Sequence, residues 1–164
     1  MGAQLAAVFA NKGIKTYLFD ISNELAINGK GRLKTLKPAP LENPENIDLI
    51  VPCSYESDLE KITQVDWVLE AVAENLDIKL KVYDTILPLL KKSTILTTNT
   101  SGLTLKELSQ KFSPELKNRF MVSHFFNPPR YMHLLELIRG EETSLETYNT
   151  ISDFGKNILG KGIV

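Results

Sequence analysis

The sequence predicts an α/β domain: a Rossmann-like, mostly parallel sheet with helices on both faces, ending in an antiparallel hairpin. Three observations carry that prediction. Short apolar runs alternate with helix-patterned stretches, which is the signature of strand–helix–strand units around a parallel sheet. Polar residues recur at the ends of those runs: Asp20, Glu74, Asn99, Ser101 and His124 each follow one. Ligands of open α/β sheets bind outside the carboxyl ends of the strands, so the repetition says more than any single residue. Finally, the apolar runs Phe120 to Phe126 and Leu134 to Ile138 flank the bend Asn127-Pro128-Pro129-Arg130. Proline fixes φ and donates no backbone hydrogen bond, so the first run must stop there.

Taken in order, Met1 to Asn11 has helix composition, with Gly2, Ala3, Ala6, Ala7 and Ala10 placing small residues on one face. Such a face lets a helix lie close to a sheet. Lys12-Gly13 closes that helix. Thr16 to Phe19 is a strand ending in Asp20. A helix from about Asn23 to Leu36 follows, weakened in the middle by Gly29 and Gly31. Lys37 to Asn46 is a proline-rich loop, Asp48 to Cys53 a strand, and Ser57 to Ile62 a short helix or turn. Trp67 to Val72 is a strand whose end carries Glu74 and Asn75. Leu76 to Leu90 is a well-patterned helix, and Thr94 to Thr98 is a strand ending in N-T-S-G. Leu103 to Phe112 is expected to be helical, with Thr104 as the N-cap of L-K-E-L. After the hairpin, Glu142 to Leu159 forms a last helix, and Gly160-Lys161-Gly162 leads into a strand at the end of the chain.

Length and composition bound the function. The chain has 164 residues, the size of one domain, and 43% of them are hydrophobic, enough for a proper core. A formal net charge of -1 favours neither nucleic acid nor an anionic membrane as partner. The single cysteine, Cys53, excludes an intrachain disulfide and any cysteine-based metal cluster; it fits a reducing, cytoplasmic setting and reads as a buried small residue. No apolar run reaches transmembrane length, and Met1 to Ala10 holds no basic region of a secretory signal.

The hairpin holds one of two histidines, His124, and a carboxylate twelve residues on, Glu136. If its strands pair antiparallel across the bend, positions summing to about 260 face each other, and these two sit opposite one another near the mouth of the loop. A carboxylate beside an imidazole fixes its tautomer and stabilises its protonated form, as a general base requires. The same pair also reads as a hydrogen-bonded structural histidine at a strand end. His133 acquires no role and reads as a loop or strand-edge residue.

Several segments together resemble a known family. Gly2-Ala3 at a helix start, Phe19-Asp20 after a strand, E-A-V-A-E-N-L-x-x-K from Glu70 to Lys79, T-T-N-T-S-G from Thr97 to Gly102, S-H-F-F-N-P-P from Ser123, and L-L-E-L-I from Leu134 closely resemble the NAD-binding domain of 3-hydroxyacyl-CoA dehydrogenases. The similarity covers nearly the whole chain, and H-F-F-N-P combined with N-T-S at this spacing is highly specific. The resemblance implies oxidation of a 3-hydroxyacyl-CoA to a 3-oxoacyl-CoA with hydride passing to NAD, as in fatty-acid β-oxidation. It implies that His124 takes the 3-hydroxyl proton, Glu136 orients His124 and balances its charge, and Ser101 hydrogen-bonds the substrate oxygen close to the nicotinamide. Asn127 would hold the nicotinamide side of the cofactor, and Glu74 and Lys79 would lie along it. For Lys79 the alternative is a solvated helix lysine, for Asp20 a strand-end turn acid, and for Ser101 a cap or turn serine. The chemistry agrees: hydride leaves readily only if the hydroxyl proton leaves too.

Asp20 ends the strand after the first helix, where a Rossmann domain places the acid that accepts the adenosine ribose hydroxyls. A carboxylate there repels a 2′-phosphate and no arginine follows, so NAD is expected rather than NADP. Met1-Gly2 resembles the last two residues of the family's G-x-G-x-M-G fingerprint. The family's first strand and first two glycines are therefore expected to be missing, leaving strand edges unpaired where that strand would sit, between the one ending at Asp20 and the one ending near Val72. The family's C-terminal helical domain, which carries most of its homodimer interface and part of its acyl-CoA cleft, is also expected to be absent. The short connection with L-K-P-A-P resembles the subgroup fused to an enoyl-CoA hydratase region. Two other readings compete. A dehydrogenase of small hydroxy acids is disfavoured by the H-F-F-N-P hairpin and its later glutamate. An inactive fragment, or an isolated domain that only binds nucleotide, is the non-enzyme alternative.

Overall fold

A computed structural model describes all residues, 1–164. The chain is α/β, and its strands form two sheets, one of two strands and one of five. It divides into two compact units, Met1–Lys61 with Phe126–His133, and Ile62–Phe125 with Leu134–Val164.

In the first unit the helix α1 (Gly2–Ala10) is followed by β1 (Thr16–Asp20), α2 (Asn23–Arg32) and β2 (Ile50–Ser54). Strands β1 and β2 are parallel, with Asp20 opposite Ser54. The small face of α1 does what its composition predicts: Ala6, Ala7 and Ala10 are buried with Leu33, Leu41, Ile47 and Ile50, and Ala3 and Leu18 pack against them. Gly13, at φ +76, ends the helix in a conformation that side chains avoid. The proline-rich stretch is a loop, as expected, and is pinned. The Asn11 side chain donates to the Pro40 carbonyl and accepts from the Glu42 amide, while the Arg130 guanidinium donates to the carbonyls of Ala39 and Leu41 at 2.7 and 2.9 Å. Helix α2 stops at Arg32, short of the expected Leu36, and continues only as turns.

In the second unit β3 (Trp67–Glu70), β4 (Ile95–Thr98) and β5 (Phe120–Phe125) run parallel, β6 (Leu134–Arg139) is antiparallel to β5, and β7 (Gly162–Ile163) is parallel to β6. The order β3-β4-β5-β6-β7 leaves β3 at one edge, and β1 has only β2 beside it. Helix α3 (Leu76–Ile86) is capped by the Asn75 side chain, which accepts from the Ile78 amide. Edge-to-face packing of Tyr83, Phe112 and Phe120, with centroids 4.9 to 6.0 Å apart, ties α3 to β5. Helix α6 (Leu145–Asn157) approaches the sheet at Gly155, where an added Cβ would come within 2.8 Å of Ile163.

Two further predicted helices are shorter than expected: the one expected over Leu76–Leu90 ends as α3 at Ile86, with a 3-10 turn beyond it. The helix expected over Leu103–Phe112 is only α4 (Leu105–Leu108), followed after a turn by α5 (Pro114–Lys117). Thr104 does cap α4, in a reciprocal capping box with Glu107. The helix already ends at Leu108, with Ser109 (φ -101, ψ 16) outside helical geometry, and the chain restarts at Ser113, which Pro114 keeps in extended backbone (φ -66, ψ 157) as a new N-cap.

Candidate active site

The hairpin fixes the centre of the site. Strands β5 and β6 pair Met121 with Arg139, Val122 with Ile138 and His124 with Glu136, each pair summing to the expected 260. Side chains alternate along a strand, so this register puts His124 and Glu136 on the same face, one pair from the connecting segment. Their contact follows: His124 Nδ1 lies 3.2 Å from Glu136 Oε2. On the opposite edge of the ring, Nε2 lies 3.2 Å from the Ser101 hydroxyl. An ionised Glu136 can only accept, so Nδ1 carries the proton. A neutral His124 therefore presents a lone pair at Nε2, toward Ser101.

Ser101 sits in the turn that leaves β4, and that turn is held from two sides. The Asn99 amide donates to the Glu70 carbonyl at 2.8 Å, while the Asn99 side-chain oxygen accepts from the Phe125 amide, next to His124, at 2.8 Å. Glu74 closes the other side. One of its oxygens accepts from the amides of Ser101 (2.9 Å) and Gly102 (3.0 Å) and from the Thr100 hydroxyl. Partial burial pushes this carboxyl upward, but the three hydrogen bonds and the Lys79 ammonium outweigh it and hold Glu74 down at about 2. Glu74 is thus a carboxylate that shapes a loop by accepting backbone hydrogen bonds.

Lys79 is not a solvated helix lysine. Its side chain is only 1% exposed and lies 3.3 Å from Glu74 and 2.8 Å from Glu70. Glu70 went unassigned in the sequence, as did the hydroxyls of Thr98 and Tyr83 that donate to it. The available signal was an acid closing an otherwise apolar strand, W-V-L-E, because a buried acid there requires a buried partner.

The remaining predicted residues belong to the first unit. Met1 begins α1 with no side-chain cap, so the helix opens with undirected amides, as does a helix end that receives phosphate. Gly2 is the first residue of that helix. Asp20 ends β1, with one carboxylate oxygen accepting the Ile21 amide at 2.8 Å, which leaves the other available to a diol. Asn127 is exposed in the segment between β5 and β6. These features fit a dinucleotide: donors for a pyrophosphate and an acid for a ribose. No group of three or more histidine, cysteine, aspartate or glutamate side chains is arranged to hold a metal ion.

Comparison with known proteins places the chain in a family. The family described as 3-hydroxyacyl-CoA dehydrogenase, NAD binding domain, matches residues 1–164. A Rickettsia felis protein with the provisional name fatty acid oxidation complex trifunctional enzyme is 40% identical, over all of this chain and 24% of its own length. A "Probable 3-hydroxyacyl-CoA dehydrogenase" of Deinococcus radiodurans is 39% identical, over all of this chain and 49% of its own. The chain therefore spans between a quarter and a half of the length of these curated relatives. Among solved structures, (S)-3-hydroxybutyryl-CoA dehydrogenase of Ralstonia eutropha superposes with a TM-score of 0.84 at 29% identity, covering all of this chain and 59% of that one.

Proposed function

Because the chain belongs to the 3-hydroxyacyl-CoA dehydrogenase family as its NAD-binding domain, we propose that it serves the NAD-dependent oxidation of a 3-hydroxyacyl-CoA to a 3-oxoacyl-CoA, as in fatty-acid β-oxidation. The observation that carries this reading is the line Ser101–His124–Glu136, with 3.2 Å at each contact. A Ser101 hydroxyl in that position orients the substrate's 3-hydroxyl toward Nε2. His124 takes the hydroxyl proton at Nε2 and becomes an imidazolium. Glu136, accepting from Nδ1, offsets that charge and keeps the ring from turning. In the reverse direction the same Nε2–H returns the proton to the carbonyl oxygen. Bound NAD supplies the hydride acceptor. Met1, Gly2 and Asp20 would hold its pyrophosphate and adenosine ribose, and Asn127 and Ser101 its nicotinamide side; Glu74 and the buried Lys79, expected along the cofactor, act through the Ser101 turn they support and not by touching it.

The acyl-CoA substrate, a homodimer and a cytoplasmic setting are part of the same proposal and rest on the family reading alone. The provisional name of the Rickettsia felis relative supports a place in a fused, multifunctional enzyme. Fluorescence titration with NADH, followed by acetoacetyl-CoA reduction, tests the reading. Binding with turnover supports it. Binding without turnover favours a nucleotide-binding domain that needs further parts, and absence of binding overturns the dinucleotide reading.

A further inference from the structure

The second unit contains a carboxylate that the reaction does not use. Glu70 is 4% exposed and Lys79 1%. One Glu70 oxygen accepts from the Lys79 ammonium at 2.8 Å and the Val72 amide at 2.7 Å. The other accepts from Lys79 at 3.0 Å, from the Tyr83 hydroxyl at 2.9 Å and from the Thr98 hydroxyl at 2.7 Å. A buried carboxylate with five donor contacts is fully committed, and its partners inherit fixed directions. Thr98 has one proton, spent on Glu70, so its oxygen is free to accept, and it does so from the Thr100 amide at 3.2 Å. Thr100 in turn donates to Glu74 and accepts from the Leu103 amide. Lys79, bridging Glu70 and Glu74, closes the circuit. The result is a ring, Glu70–Lys79–Glu74–Thr100–Thr98, with the Ser101 and Gly102 amides hung from Glu74.

We propose that Glu70 is a positioning residue: through Lys79 and Thr98 it closes a hydrogen-bonded ring that fixes Glu74 under the turn Asn99–Gly102 and so holds the Ser101 hydroxyl on His124. It touches neither Ser101 nor His124 and acts only through the ring. The inference rests on the dehydrogenase reading for its functional meaning, but its geometry stands apart from it. Tyr83 hangs on Glu70 from outside the ring, so its hydroxyl adds stability to Glu70 without entering the circuit.

Residue-resolved amide hydrogen exchange and the nitrogen-15 signal of His124 Nε2 in this chain test the proposal without requiring turnover. Thr98→Val keeps the shape of the side chain and removes the hydroxyl. It should speed exchange at Ser101 and Gly102, which Thr98 does not touch, by about tenfold, and shift the Nε2 signal, with Val122 and Leu137 unchanged. Thr98→Ser should restore exchange to within about twofold of the wild-type rate. Glu70→Gln should reproduce the Thr98→Val pattern; if that variant fails to fold, the Thr98 pair decides. Acceleration at Thr100 alone, uniform acceleration across β4 to β6, or failure of Thr98→Ser to restore the turn would each overturn the proposal. A wild-type chain that showed the protected turn but neither bound NADH nor turned over substrate would sink the functional reading and leave the ring standing.

Discussion

The two units of the molecule hold their candidate residues in opposite ways. In the first, Asp20 commits one oxygen to a neighbouring amide, α1 begins without a side-chain cap, and Asn127 is exposed. In the second, Glu70, Glu74, Lys79, Thr98, Thr100 and the Ser101 amide are committed to one another. The difference separates two tasks. Groups with spare hydrogen-bonding capacity receive a ligand, and groups that satisfy each other hold a reacting atom in place. Substitutions in the two units should therefore move different kinetic parameters.

The largest effect is expected at the base. His124→Asn leaves a side chain that neither takes the hydroxyl proton nor pairs with Glu136, and kcat should fall by about 10² to 10⁴. The KM for NAD should stay near the wild-type value, because His124 belongs to the other unit's task. Steady-state kinetics in the dehydrogenase carrying this domain would check both. An equal rise in KM would break the division between the units. Next comes Asp20→Asn, which weakens a charge-assisted bond to a ribose hydroxyl. The expected loss is on the order of 10- to 100-fold in NAD affinity with kcat unchanged, read by NADH fluorescence titration. A fall in kcat with unaltered affinity would contradict the role assigned to β1's end.

A smaller effect concerns the scaffold of the second unit. Asn75 caps α3, the helix that delivers Lys79 to Glu70. Asn75→Ala should cost about 1 kcal/mol, seen as a lower urea midpoint at unchanged slope. Because the cap stabilises the helix and not the ring, His124 chemistry should be little affected. A loss of turnover out of proportion to the lost stability would show that the helix end, and not only Lys79, is part of the site.

These contrasts also explain what could be read from the residues. The hairpin was legible to the register, because a proline bend between two short apolar runs allows few pairings and the side-chain period of two then fixes which residues meet. Asp20 and Ser101 were legible as strand-end residues. Glu70 was not, although it stands inside the matched E-A-V-A-E segment. Its meaning depends on Lys79 nine positions away, Tyr83 thirteen away and Thr98 twenty-eight away, and no local pattern links them. Lys79 misleads for the same reason: a lysine three residues into a helix is ordinarily solvated, and only the buried acid below it says otherwise. The short α4 was missed because an N-cap such as Thr104 marks where a helix starts, while no proline or glycine stands at its end at Leu108.

The smallest expected effect separates the ring's charge from its hydrogen bonds. Glu74 titrates at about 2 in the folded chain instead of its ordinary 4.5. A carboxyl with a lowered folded pKa binds its proton less readily than the unfolded chain does, so its stabilisation is complete above pH 4.5 and fades as pH falls toward 2. Its side chain is 44% exposed, so water screens the charge and the contribution should amount to about 1 kcal/mol or less. Glu74→Gln keeps an oxygen for the Ser101 and Gly102 amides but gives up attraction to Lys79. The stability difference between the two proteins, from urea unfolding at a series of pH values, should be constant above 4.5 and shrink between 4.5 and 2. A difference that persists unchanged at pH 2 would mean that shape, and not charge, ties Glu74 into the ring.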